Sequence, residues 1–359
     1  HLQGANWITT SGKDYWNFRP GLPITDYRVD YQLTEASGNM RIVGHVEQMH
    51  DSECYKQSEV MSCVTCHDPH HPVARRDRVD HHRSVCISCH KDESCGVPHD
   101  TRMRETNNSC YECHMPKADT NVTHAAFHHH SIGIHPKTPS ASPSGGSRKL
   151  EMIPVLDLSG LPKREQIRCE ALVKAIHLRG DPDNPDYDHF GYEATEALIQ
   201  LKQTGEVDAA CDSQLALLAF AQKQPEIAAK LAGEALQKEP QPTLPHIEAR
   251  ELLARLAFQS GRHAEAVEHY RKLTQLRPDE TDMFYLGLCE SNVGDVQASI
   301  GALNKSLKLN PLQVGPHHAL EAIYRANKQK AAADYHAEMK MKIRAELDRI
   351  HELGESERR

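Results

Sequence analysis

The sequence predicts a mainly α chain in two unlike parts: a loop-rich segment that needs more than protein to fill its interior, then an α-solenoid of helix pairs. Three observations predict it. Residues 1–135 hold 16 of the 25 His and 8 of the 11 Cys. Only 47 of those 135 residues are apolar, and six of these are paired Cys, which is too lean for a protein-only core. From about residue 189 onward, Ala- and Leu-rich helical patterns recur at a nearly fixed step.

In chain order, residues 1–135 show little sustained periodicity and read as loops and short helices broken by Pro, Gly and Asp. Residues 136–188 read as a linker and a connecting helix. The stretch 136–149 is rich in Pro, Gly and Ser, a helix is expected near Lys163–Leu178, and breakers follow from Gly180 to Pro185. The solenoid is expected over 189–351, with a polar tail at 352–359.

The solenoid's step is explicit. Gly261, Gly294 and Asn327 are 33 apart, as are Ala266, Ser299 and Ala332, and Pro278 and Pro311. One period earlier the step is 38, from Ala228 to Ala266 and from Pro240 to Pro278, and the loop Gln241–Pro245 accounts for the extra length. A turn residue, small residues between paired helices and a closing Pro at this period resemble the tetratricopeptide repeat. Tyr285-Leu286-Gly287 with Gly294 and Pro311 is the best single match, although the family's Trp is missing. Four repeats are expected at about 210–245, 246–279, 280–312 and 313–346, after an introductory helix at 190–203.

Composition bounds the function. A length of 359 fits two domains. With 42 basic against 50 acidic residues, the net charge is −8, and a nucleic-acid-binding face is not expected. No run of eighteen apolar residues occurs, so no transmembrane helix is expected. The first residue is His rather than Met, which reads as a processed or truncated product.

Three segments carry the chemistry: Cys63-Val64-Thr65-Cys66-His67, Cys86-Ile87-Ser88-Cys89-His90 and Cys110-Tyr111-Glu112-Cys113-His114. Each reads as a c-type haem attachment site. Two Cys on one tight helical turn can each form a thioether to a haem vinyl group, and the adjacent His then faces the iron. Cys63, Cys66, Cys86, Cys89, Cys110 and Cys113 are therefore expected to bind three haems, with His67, His90 and His114 as axial ligands. The competing reading is a four-Cys zinc ribbon, since 19 residues separate Cys66 from Cys86. Three pairs rather than two, each followed by His, favour haem. The motifs start 23 and 24 residues apart, so little protein separates neighbouring haems, which favours electron hopping. A second axial ligand per iron is expected from the remaining His, with His50, His70, His71, His81, His82, His124 and His128 to His130 best placed. The leftover Cys54 and Cys95 are expected to pair, because haem attachment takes place outside the cytoplasm, where disulfides persist.

These stretches, with Phe18-Arg19-Pro20-Gly21-Leu22-Pro23, Asp68-Pro69-His70, Met115-Pro116-Lys117 and His124-Ala125-Ala126-Phe127, resemble multihaem c-type cytochromes with C-terminal tetratricopeptide repeats. More distantly they are similar to the cytochrome c554 and pentahaem nitrite reductase group. That resemblance implies His50, His70, His124 and His129 as distal ligands. It also implies His1 as the axial ligand of a fourth haem, because a Cys-x-x-Cys pair usually precedes His-Leu-Gln-Gly in the family.

The expected function is electron transfer through closely packed haem c groups, in the periplasm or outside a bacterial cell. The repeats would dock redox partner proteins or other copies of the chain, in the extreme as an extracellular filament. The segment 1–135 counts 13 basic against 17 acidic residues, so a partner with a basic face is favoured. The alternative is a reductase or oxidase of small nitrogen or sulfur compounds with one open haem site, but no Cys-x-x-Cys-Lys occurs to mark one. A third reading makes the repeats a scaffold and the haems structural.

Overall fold

The computed structural model describes residues 6–13, 18–33, 45–58, 60–119, 126–135, 151–178, 181, 183–239 and 241–356. The chain divides into two compact units, His1–Val173 and Lys174–Arg359.

The first unit holds a small antiparallel sheet: β1 (Asn6–Thr9), β2 (Arg28–Leu33) and, from far along the chain, β5 (Met152–Pro154), in the order β1-β2-β5. Asn6 pairs with Tyr31 across β1 and β2, and Leu33 with Met152 across β2 and β5. The loop-and-short-helix expectation missed this sheet. Val29, Asp30 and Tyr31 are consecutive and all buried, so β2 lacks the alternation that marks a half-buried strand. Asp30 is buried because the Arg28 guanidinium binds its carboxylate. A 16-residue helix, α7 (Lys163–Leu178), has the bounds its periodicity predicts. Its first half joins the sheet's unit: the Arg168 guanidinium donates to the Thr9 carbonyl at 3.1 Å, and the Ser11 N–H donates to Glu165 at 2.9 Å. Ile8, Val29, Tyr31, Met152, Leu161, Cys169 and Leu172 form the core there. Residues 151–173, read from sequence as connector, are thus part of the first unit's core.

Between these parts lie α1 (His45–Asp51), α2 (Glu53–Lys56), α3 (Cys63–Cys66), α4 (Arg78–Ile87), α5 (His99–Thr106) and α6 (Cys110–His114). A two-stranded ribbon comes next, β3 (Lys117–Asp119) against β4 (Ala126–His128).

The second unit is all helical. A π-turn at Tyr187–Gly191 leads into α8 (Tyr192–Gln203). Four antiparallel pairs follow: α9 (Ala209–Ala221) with α10 (Pro225–Lys238), α11 (Leu244–Gln259) with α12 (His263–Leu276), α13 (Glu280–Asn292) with α14 (Val296–Leu309), and α15 (Val314–Ala326) with α16 (Lys330–Ser356). These pairs are the four expected repeats. Local chemistry sets their starts: Asp208, Asp279 and Asp295 accept hydrogen bonds from the first-turn N–H groups of α9, α13 and α14, and Pro225 opens α10. Each turn between paired helices holds one left-handed residue, at Lys223, Gly261, Gly294 and Lys328. Five residues later comes a buried small residue: Ala228, Ala266, Ser299 and Ala333. The 33-residue step places Asn327 and Ala332 in these roles in the last repeat, and the structure moves both by one. The cause is the loop 310–313, one residue longer than the equivalent loop 277–279. The small residues let helices approach closely. At Gly287 on α13 an added Cβ would stand 2.7 Å from Leu303 Cγ on α14.

Candidate functional site

All three Cys-x-x-Cys-His segments fold into single helical turns, and local bonds explain why. Ser62 opens α3 with a capping box, its side chain facing the Thr65 N–H while Thr65 Oγ1 accepts from the Ser62 N–H at 3.0 Å. The His67 N–H then bonds the Cys63 carbonyl at 3.0 Å. The second segment runs off the end of α4, with the His90 N–H on the Cys86 carbonyl at 3.0 Å. Ser109 caps α6, its hydroxyl accepting from the Glu112 N–H at 3.3 Å. One turn brings the two thiols of each segment and the following imidazole together.

The three turns are neighbours. Burial raises the Cys66 thiol pKa, helped by Cys54, Cys63 and Cys89. Burial also pushes Cys86 up to about 11, helped by Cys110, Cys66 and Cys54. Thiols of all three segments therefore share one region. An ion-pair bridge fixes it from outside. Asp92 takes a bidentate bond from Arg102 on α5, at 2.8 and 3.1 Å, and a bond from Arg83 on α4. These guanidinium groups, Arg102 foremost, hold the Asp92 carboxyl well below the usual carboxylate range. Arg83 also reaches Cys110 Sγ at 3.5 Å.

Imidazoles crowd the same region. The His67 ring lies 5.5 Å from His82 and 6.3 Å from His130, and His130 stacks on His45 at 4.3 Å. Tyr111, inside the third segment, stands edge-on to His82 at 5.7 Å and to His128 at 5.0 Å. His114 Nδ1 donates to the Gly133 carbonyl at 2.9 Å, which puts the ring proton on Nδ1 and leaves the Nε2 lone pair able to bind a metal. Burial pushes His130 down to about 4 and also lowers His82 and His45, so these rings are neutral at pH 7.

The other sequence candidates are placed differently. His50 stacks on Tyr55 at 4.1 Å. His70 is exposed in a turn after the first segment, its N–H bonded to Asp68 at 2.8 Å. The His129 ring lies 5.8 Å from His135. His1 and His124 lie outside the described residues, as does the expected linker 136–149. Cys54 and Cys95 do not pair: both are free, and Cys54 Sγ sits 3.8 Å from His90 Nε2 on the second segment. Sequence reasoning passed over His45, because nothing next to it marks it. Only its stacking on His130 brings it to the site.

The chemistry of the region fits haem. Among the residues from 45 to 135 whose burial is described, only Met49, Ser52 and Ser109 are buried, while Val60, Val64 and Ile134 are 85%, 67% and 94% exposed. The described side chains of this stretch form no apolar core among themselves, and a covalently tethered macrocycle is the kind of group that would supply one. The donor set, two thiols and an imidazole per turn, matches haem c three times. Among the described residues no three His, Cys, Asp or Glu are grouped to hold one metal ion.

A family model, Tetratricopeptide repeat, matches residues 219–286, which run from the end of α9 into α13. No curated protein matches the chain. Among solved structures, a double mutant of MamA from RS-1 is 17% identical over 49% of this chain and 97% of its own, with a TM-score of 0.42. A crystal structure of MamA is 13% identical over 47% and 97%, also at 0.42. MamA from Desulfovibrio magneticus RS-1, residues 41 to the end, is 19% identical over 49% and 96%, at 0.40. The second unit is thus a set of tetratricopeptide-like helix pairs by its own geometry and by the family match. Such repeats are protein-binding modules. No described helix is long and apolar enough to cross a membrane.

Proposed function

We propose that this protein is a multihaem c-type cytochrome that transfers electrons, with its repeats docking protein partners or further copies of the chain. The observation that carries the reading is three Cys-x-x-Cys-His turns gathered in a stretch with almost no buried side chains. Cys63 and Cys66, Cys86 and Cys89, and Cys110 and Cys113 would tether one haem c each, and His67, His90 and His114 would supply the first axial ligands. Haem iron, when bound, supplies the one-electron chemistry. The chain's own part is to hold the three sites close together: Asp92 joins α4 to α5, and the His114–Gly133 bond aims one imidazole.

Covalent haem attachment, on this reading, would put the protein in the periplasm or outside a bacterial cell, with redox proteins as its partners. A partner with a basic face suits the acidic balance of residues 1–135. The test is a redox titration of the purified full chain, followed in the haem Soret band, beside a Cys63→Ser/Cys66→Ser variant. Stepwise reversible reduction, with one haem's share of the absorbance lost in the variant, is the expected result. An unchanged spectrum in the variant would refute the assignment of the first segment.

A further inference from the structure

We propose that His130 is the second axial ligand of the haem iron held by the first segment, opposite His67. This rests on the haem reading above and names one ligand within it. A metal–imidazole bond of about 2.0 Å, plus roughly 1.1 Å from ring nitrogen to ring centre on each side, sets two imidazoles on one iron about 6.2 Å apart, centre to centre. The His67 and His130 rings are 6.3 Å apart. The His67 and His82 rings, at 5.5 Å, are too close to hold an iron between them.

Hydrogen bonding chooses within the run His128-His129-His130. A carbonyl only accepts, so His130 Nδ1, 3.0 Å from the His128 carbonyl oxygen, carries the ring proton and leaves a lone pair on Nε2. His129 is the reverse. The Ser131 N–H donates to its Nδ1 at 3.1 Å, so a neutral His129 carries its proton on Nε2 and has no lone pair there to give. His128 has its Nδ1 on the Met115 carbonyl at 2.7 Å, but its ring stands against Tyr111. His130 is also held in place. Its backbone N–H donates to Gln48 Oε1 at 2.8 Å, and its ring stacks on His45, so α1 supports it through two side chains. The resemblance to known cytochromes implies His129; the His67–His130 separation and the proton positions point one residue further.

The test uses the full chain matured with covalent haem, and compares the wild type with His130→Ala, His129→Ala and His130→Met by haem count, electron paramagnetic resonance and potentiometry. The expected result for His130→Ala is an unchanged haem count with one haem converted from low to high spin, reversed by added imidazole. His129→Ala is expected to keep the wild-type spin state. His130→Met keeps an axial donor and raises the potential of one haem. The proposal is overturned if His130→Ala keeps every haem low-spin, or if His129→Ala produces the conversion instead. If His130→Ala loses haem during maturation, His130→Met decides, and unchanged potentials there overturn the proposal. A wild-type chain without covalent haem would remove the haem reading itself, a failure distinct from a wrong ligand.

Discussion

Gly287 sits where α13 and α14 come closest, and Gly287→Ala tests whether that approach is real. A new Cβ would stand 2.7 Å from Leu303 Cγ, 2.9 Å from Leu303 Cδ2 and 3.2 Å from the Ser299 carbonyl oxygen. Ordinary carbon contacts lie at about 3.5–4.0 Å, so Leu303 must move. Leu303 is fully buried and meets the new atom with its branch point, not a flexible end. Overpacking of this kind costs about 2 kcal/mol. Ala gains about 1 kcal/mol over Gly within a helix. The net expectation is a loss of about 1 kcal/mol. Leu303→Ala alone should cost about 3 kcal/mol through the cavity it leaves. In the double variant the clash is gone and the helix gain remains, so the loss should be about 2 kcal/mol rather than the additive 4, a coupling of about 2 kcal/mol. Urea denaturation followed by circular dichroism measures all three. A Gly287→Ala variant more stable than wild type by about 1 kcal/mol, with the double variant additive within about 0.5 kcal/mol, would refute the close approach.

Two further predictions concern the solenoid. Lys328 holds a left-handed backbone at φ 60°, a strain of about 1–2 kcal/mol for a residue with a Cβ, partly offset by the chain entropy a glycine loses. Lys328→Gly should therefore stabilise the chain by about 0.5–1 kcal/mol in the same denaturation assay, whereas Asn327→Gly should not. His317 and His336 are buried with their Nδ1 atoms 2.8 Å apart, and burial lowers both pKa values. Glu321 opposes the shift at His336 without reversing it. Groups lowered on folding take up protons more readily when unfolded, so their stability contribution is complete above the unfolded value of about 6.5 and is lost as pH falls below it. The melting temperature should drop between pH 7 and pH 5, and less steeply in His336→Gln; equal slopes would refute the assignment.

The helix pairs were legible because solenoid packing repeats its demands. A turn residue and, five positions on, a small buried residue recur, so the step survives even without the family's Trp. The one-residue error at Asn327 arose because a longer loop at 310–313 leaves Pro311 in step and displaces the later turn by one position. The sheet was not legible: β1 has four residues, β2 buries three in a row, and β5 joins across most of the first unit. At the candidate site the Cys-x-x-Cys-His turns were legible because both thiols and the imidazole must share one turn. The choice of a second ligand within the candidate His was not, because on the proposed reading it comes from other parts of the chain. His45 and His130 meet only in three dimensions, and the tautomer that separates His130 from His129 is set by backbone atoms, which no motif records. The Cys54–Cys95 pairing failed for the same reason: counting leftover thiols says nothing about distance, and Cys54 lies beside His90.

Everything proposed for the first unit depends on Cys63, Cys66, Cys86, Cys89, Cys110 and Cys113 holding three haems by thioether bonds. The decisive experiment is intact mass under denaturing conditions, with a reduced pyridine haemochrome spectrum, on the full chain from a host that matures c-type cytochromes. Three thioether-bound haems predict a mass increase of three haems that survives denaturation, and a c-type haemochrome of matching intensity. A chain at its polypeptide mass with zinc bound, and no haemochrome, would contradict the assignment and leave a zinc-bearing repeat scaffold.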